Sequence, residues 1–148
     1  MDFVKALDTG LYLDTLDCII KWSCTPDDLL NEIGEADYEM YKSDYMNCVG
    51  YNVQSGVFGI PRSFGVLFNF INEKLTSVNI NELFSQDAIL NFDRIQNELE
   101  PVLGKPHRLP YSFNSKKRSY KWKFKRVVIE HSIIERDGLQ RMFEIRIK

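Results

Sequence analysis

The chain has 148 residues, 44% of them apolar and 13% aromatic, with a formal charge of −2. That fits one ordinary globular domain with enough apolar surface for a real core, and it excludes a disordered or fibrous chain. The apolar runs, such as Phe64–Ile71, fall well short of the about 20 residues a membrane helix requires, so no membrane partner is expected.

Asp2, Asp8 and Asp14 occupy the first fourteen residues, and no basic stretch precedes an apolar core there, so no signal peptide is expected. The cysteines are Cys18, Cys24 and Cys48, an odd count that points to free thiols in a reducing, cytoplasmic setting. Cys18 and Cys24 are six apart, which does not suit a zinc site, and neither a metal nor a cofactor is expected. Charge is unevenly spread. Residues 1–100 hold 6 Lys+Arg against 17 Asp+Glu, whereas residues 101–148 hold 13 against 4. Such a split marks either a charged binding surface or two halves that attract each other within the fold.

In chain order, residues 1–22 read as a short helix or irregular turn leading to Ile19, Ile20, Lys21 and Trp22. Thr25 is a helix cap, Pro26 suits the first helical position, and Asp27 and Asp28 complement the dipole. Leu29, Leu30 and Ile33 give that helix an inward face, and Gly34 ends it. Residues 45–53 are a candidate strand, followed by a Gly, Pro and Ser-rich loop at 54–63. Phe64, Val66, Phe68 and Phe70 alternate along a strand; Asn72, Glu73 and Lys74 make a tight turn; Thr76, Val78 and Ile80 return on one face.

Residues 82–90 are helical or irregular. Asn91 is expected to cap a second helix carrying Phe92, Ile95, Leu99 and Leu103, with Pro101 in its last turn and Gly104 at its end. Residues 110–119 read as a loop that carries on from His107. Tyr120, Trp122 and Phe124 alternate with Lys121, Lys123 and Lys125, a clear period-two strand, and the strand is expected to continue over 126–134 across a bulge near Lys125 and Arg126. Asp137-Gly138 is a hairpin turn signal, and residues 139–148 return with Phe143, Ile145 and Ile147 inward.

The order of these elements predicts an α+β fold, an antiparallel sheet with helices on one face. Residues 1–148 form a single domain in which two helix–hairpin repeat units, 19–81 and 89–148, are fused. A helix closing on a Gly corner and followed by Trp- or Tyr-bearing antiparallel strands resembles the tandem fold of the beta-lactamase inhibitor protein. It also resembles that fold's single-unit relatives, the SmpA/OmlA outer-membrane assembly lipoproteins. The residues that carry the likeness are Leu29, Ile33, Gly34 and Ala36 in the first unit. In the second they are Leu99, Leu103, Gly104, Pro106, Trp122 and the Asp137-Gly138 turn. The likeness spans about residues 20–148. It implies a sheet with one helix-covered face and one open, protein-binding face. The disulfides and the lipidated Cys of those families have no counterpart here, so only the architecture carries over.

The sharpest local feature is the basic, aromatic segment 115–126. Basic residues interleaved with rings suit nucleic acid, through phosphate contact and base stacking. Strand parity separates the two, however, sending Tyr120, Trp122 and Phe124 into the core and Lys121, Lys123 and Lys125 to the opposite face. There the lysines either guard an edge, meet solvent or dock an acidic protein. Glu130 and His131 are adjacent in a strand and point to opposite faces, so they make no catalytic dyad, and His131 is expected in the core.

No nucleophile motif, phosphate loop or carboxylate pair is recognisable, and no catalytic residue is assigned. The expected function is a cytoplasmic, non-enzymatic protein-binding module, an inhibitor or a bacterial toxin-immunity protein. It would engage an acidic patch through Lys121, Lys123, Lys125, Arg146 and Glu130. A nucleic-acid binder using residues 115–126, and an enzyme without a recognisable motif, are the alternatives.

Overall fold

Alternation of apolar and polar side chains along most of the strands builds one large sheet, seen in a computed structural model. It describes residues 1–45, 47–82, 87–108, 118–135 and 139–148. The first segment forms the expected short helix and adds a hairpin that the sequence does not announce. Helix α1 (Phe3–Ala6), capped by Asp2, leads into a hairpin of β1 (Gly10–Leu13) and β2 (Cys18–Lys21). Trp22 closes this hairpin onto the helix, its indole N–H donating to Leu7 O at 2.7 Å. Four-residue strands are too short for their alternation to be distinguished from an irregular apolar stretch.

Helix α2 (Pro26–Ile33) forms as expected. The Thr25 hydroxyl accepts from Asp28 N at 3.2 Å, and the Asp28 carboxylate accepts from Thr25 N at 3.0 Å, a reciprocal capping box. Leu29 and Ile33 are buried. The expected strand at 45–53 is corrected to β4 (Cys48–Ser55), preceded by β3 (Tyr38–Ser43), which had no signal in the sequence. All six residues of β3 are exposed, so nothing imposes alternation on them.

Strands β5 (Phe64–Ile71) and β6 (Lys74–Glu82) form the expected hairpin, with Asn72 and Glu73 both at positive φ in its turn. Thr76 does not share the inward face. A bulge between Asn69 and Phe70 sets Leu75 opposite Phe70, and the Thr76 hydroxyl donates to Asn69 O at 3.2 Å instead. Helix α3 (Ala88–Leu103) starts ahead of Asn91. Asp87 does the capping, its carboxylate accepting from Leu90 N at 3.1 Å, and Asn91 lies inside the helix. Pro101 sits within the helix near its end, and Gly104 follows at φ 90°.

His107 belongs to a two-residue strand, β7 (His107–Arg108), not to the loop expected there. Strand β8 (Arg118–Lys123) then runs antiparallel to β9 (Val127–Glu135). The expected single strand bulging near Lys125 is therefore a reversal. Phe124 N donates to Val127 O at 2.9 Å, and the parity shift reflects a turn. Strand β10 (Leu139–Ile147) returns beside β9; the Asp137-Gly138 turn lies outside the described residues.

Among the described residues the sheet has eight strands, all antiparallel, in the order β3-β4-β5-β6-β10-β9-β8-β7. One helix and then four strands occur twice along the chain, α2 before β3–β6 and α3 before β7–β10. The two sets meet where β6 pairs with β10. Phe58 stacks on Phe143, Phe92 stacks on His131 and Tyr120, and Leu29 and Ile33 of α2 join the same core. The helices thus cover one face, as the sequence predicts for an α+β fold.

The inward position of Trp122 follows from β8 parity. It is 3% exposed, and its indole N–H donates to Gly104 O at 2.8 Å, locking β8 to the end of α3. Replacing it with Ala is expected to cost about 3–5 kcal/mol of folding stability. Lys123→Ala on the opposite face should stay within about 0.5 kcal/mol. Urea unfolding of the two variants checks both.

Candidate functional site

The face turned away from the helices is built by the other half of each strand. Cross-strand register aligns one outward row over all eight strands: Glu39, Asn52, Leu67, Asn79, Glu144, Glu130, Lys121 and His107. Beside it runs Gly50, Asn69, Ser77, Arg146, Val128 and Lys123. The surface changes character along this direction.

On the β4–β6 side it is uncharged and rich in amides. Asn69 anchors it, its amide donating to Ser77 Oγ at 3.2 Å and Asn79 Oδ1 at 2.7 Å. Gly50 leaves a depression there. A Cβ at that position would meet Leu67 Cδ1 at 3.1 Å and Asn69 Oδ1 at 3.5 Å. The resulting cavity, about 350 Å³, is bordered by Tyr41, Cys48, Gly50, Leu67 and Ile71.

The β8–β10 side is charged. Glu130 and Glu144 stand directly opposite each other, a repulsive pairing. Arg146 sits between them, its Nη2 3.4 Å from Glu130 and its Nε 3.5 Å from Glu144. Lys121 approaches Glu130 from the other side at 3.8 Å, and the Ser119 hydroxyl donates to Glu130 at 3.2 Å. The structure therefore brings Lys121, Glu130 and Arg146 together as one ladder across three strands. Glu130 is largely shielded and its oxygens are taken up within the ladder, so it organises the cations. Lys123 is exposed next to them and, among the described residues, makes no ion pair. Lys125 does not join this face. It is exposed at the β8–β9 turn, where the backbone has left the strand.

The rings of the basic segment face the other way. Trp122 is buried and Tyr120 stacks against Phe92, so neither offers a platform for a base beside the lysines.

Beneath α3 lies a polar group that sequence reasoning only half found. His131 is 0% exposed and stacks on Phe92 at 4.2 Å, and its Nδ1 donates to Gln96 Oε1 at 2.8 Å. Burial, with the Arg141 guanidinium nearby, holds its pKa well below 6.5. Farther along the same face, Arg62 pairs with Glu98 at 3.1 Å and with Glu82 at 3.5 Å. The charge of Glu82 also reaches the inward Arg141. Two signals for this group were present in the sequence. Gln96 falls four residues after Phe92 on the apolar stripe of α3, and Arg141 shares parity with Phe143 and Ile145. His131 is a core histidine, as its parity with Ile129 and Ile133 predicts.

Among the described residues, no group of three or more His, Cys, Asp or Glu side chains is placed to hold a metal ion. No described helix is long and apolar enough to cross a membrane. No protein-family model matches the chain, and no curated protein or solved structure resembles it significantly.

Two outcomes are expected. Arg146→Ala should cost about 0.5–1 kcal/mol by leaving Glu130 and Glu144 opposed. Adding Glu144→Gln should recover most of that, in a double-mutant cycle by urea unfolding. Below pH 6.5 the unfolded chain protonates His131 while the folded chain keeps it neutral, so stability falls as pH drops through that value. The loss should approach about 1.4 kcal/mol per pH unit, and His131→Phe should remove it from unfolding curves taken between pH 7.5 and 5.5.

Proposed function

We propose that this chain is a non-enzymatic protein-binding module whose working surface is the open face of the sheet, with an inhibitor or a toxin-immunity protein as its concrete form. The observation that carries the reading is a sheet face, turned away from the helices, that runs over eight strands among the described residues. Strands spaced about 4.8 Å apart, with some six residues each at about 3.3 Å, give a face of roughly 750 Å². That matches the about 800 Å² each partner contributes to a standard-size stable interface.

The face has the two components such an interface uses. The depression at Gly50 accepts an apolar or aromatic anchor, and the Lys121, Lys123 and Arg146 side steers an acidic surface toward it. Arg146 and Lys121 both pair with Glu130, so the steering falls mainly to the exposed Lys123, with Lys121 and Arg146 adding the part of their charge that the two carboxylates leave. The twice-repeated order of one helix and four strands supports an internal duplication and the likeness to the tandem inhibitor fold. Burial pushes the Cys24 thiol up to about 11, which leaves it unreactive at neutral pH.

The test is kinetic. Partners are captured from an extract of the native host with the wild-type chain and with Lys121→Glu/Lys123→Glu. Association with the captured protein is expected to slow roughly tenfold in the double variant and to lose its salt dependence. Unchanged association rates and unchanged salt dependence would falsify the reading.

A further inference from the structure

Strand β3 breaks the rule by which proteins protect the edges of their sheets. Its six residues pair with β4 in continuous register. Among the described residues, no strand pairs with its other side. Such an edge presents a row of unpaired backbone donors and acceptors and is ordinarily blunted by a proline, a bulge or several lysines. The segment YEMYKS has neither proline nor bulge, and Lys42 is its only lysine. It also exposes large side chains on both faces: Tyr38 at 47%, Met40 at 56% and Tyr41 at 53%.

The surroundings of this edge select what would cover it. One cavity of about 340 Å³ is bordered by Asp37, Tyr38 and Glu39. Another, of about 580 Å³ on the opposite face, is bordered by Asp27, Met40, Tyr51 and Glu73. Side chains of an added strand alternate between two faces, so they would fall over these two cavities in turn. The first cavity carries two carboxylates and no base, and the second carries two carboxylates beside Lys42, so both are acidic on balance. A second copy's β3 would bring the same carboxylates to the same places, so self-pairing is opposed by charge.

We propose that the β3 edge receives an extended basic segment of a partner protein as a ninth strand of the sheet. Backbone hydrogen bonds along the edge supply affinity, and Lys or Arg side chains reaching Asp27, Asp37, Glu39 and Glu73 supply selectivity. This edge adjoins the end of the open face that carries Glu39, lies at the far side of the sheet from Lys121 and Lys123, and has the opposite charge preference.

The probe is a fluorescent peptide of alternating Lys and Val, titrated into the full chain. Two controls accompany it: alternating Glu and Val, and the Lys–Val peptide N-methylated at every second residue. Saturable binding of the probe is expected, with both controls weaker by roughly tenfold or more. Amide exchange should slow at Tyr38–Ser43 when the probe binds. Asp37→Lys/Glu39→Lys should weaken binding by a similar factor, whereas Lys121→Glu/Lys123→Glu should leave it unchanged, which separates this proposal from the open-face reading. The proposal is overturned if either control binds as well as the probe, or if slowed exchange appears elsewhere. It is equally overturned if the peptide-free chain sediments as a dimer with β3 already protected.

Discussion

One inward row of side chains holds the sheet together. Met40, Tyr51, Phe68, Val78, Ile145, Ile129 and Trp122 stand side by side on seven successive strands, joined by register from β3 to β8. From Phe68 to Trp122 the row is almost wholly removed from water. Each such side chain contributes about 1.5–3 kcal/mol by leaving water. A slip of one residue in any strand would turn its contribution outward, so the row specifies register as well as stability. The bulge in the β5–β6 hairpin shows how strictly this holds. The ladder shifts by one between Asn69 and Phe70, and Leu75 then takes the buried position opposite Phe70.

The outward row is a consequence of the inward one. Once parity is fixed, Lys121 and Glu130 must be neighbours, Glu144 must oppose Glu130, and an arginine beside them relieves the repulsion. The open face is therefore an ordered electrostatic pattern held in place by the core. The same parity explains the split of the basic segment: its cations reach solvent because its rings do not.

The elements legible in the sequence were those with strong local physics. The Thr25 cap, the alternation of β5 and β8, and the helix-ending Gly34 and Gly104 each rest on neighbours within a few residues. Three features were obscured for identifiable reasons. Strand β3 has no buried face to impose a pattern on it. The turn at Phe124, Lys125 and Arg126 reads in the sequence as a bulge, because a parity shift looks the same in both, and that reading puts Lys125 on the sheet face instead of at the turn. Asn91 and Asp87 are chemically equal as caps of α3, and the sequence does not say that the one a turn earlier is used. At the candidate surface, Lys121, Lys123 and Arg146 were readable from alternation. The depression at Gly50 was not, because a glycine's role in shaping a surface depends on which strand lies beside it.

The junction of β6 with β10 rests on three residue pairs, Ser77 to Arg146, Val78 to Ile145 and Asn79 to Glu144. These partners are separated by nearly half the chain. Closing a loop of that length is slow compared with forming local hairpins. During synthesis, β6 leaves the ribosome with Val78 and Ile80 already on an unfilled edge, and its partner strand is translated much later. The nascent chain thus passes through a stage in which an apolar strand waits unpaired, a state prone to association with other chains. Rapid delivery of the β9–β10 segment, or a chaperone holding β6 until then, would govern the yield of native protein.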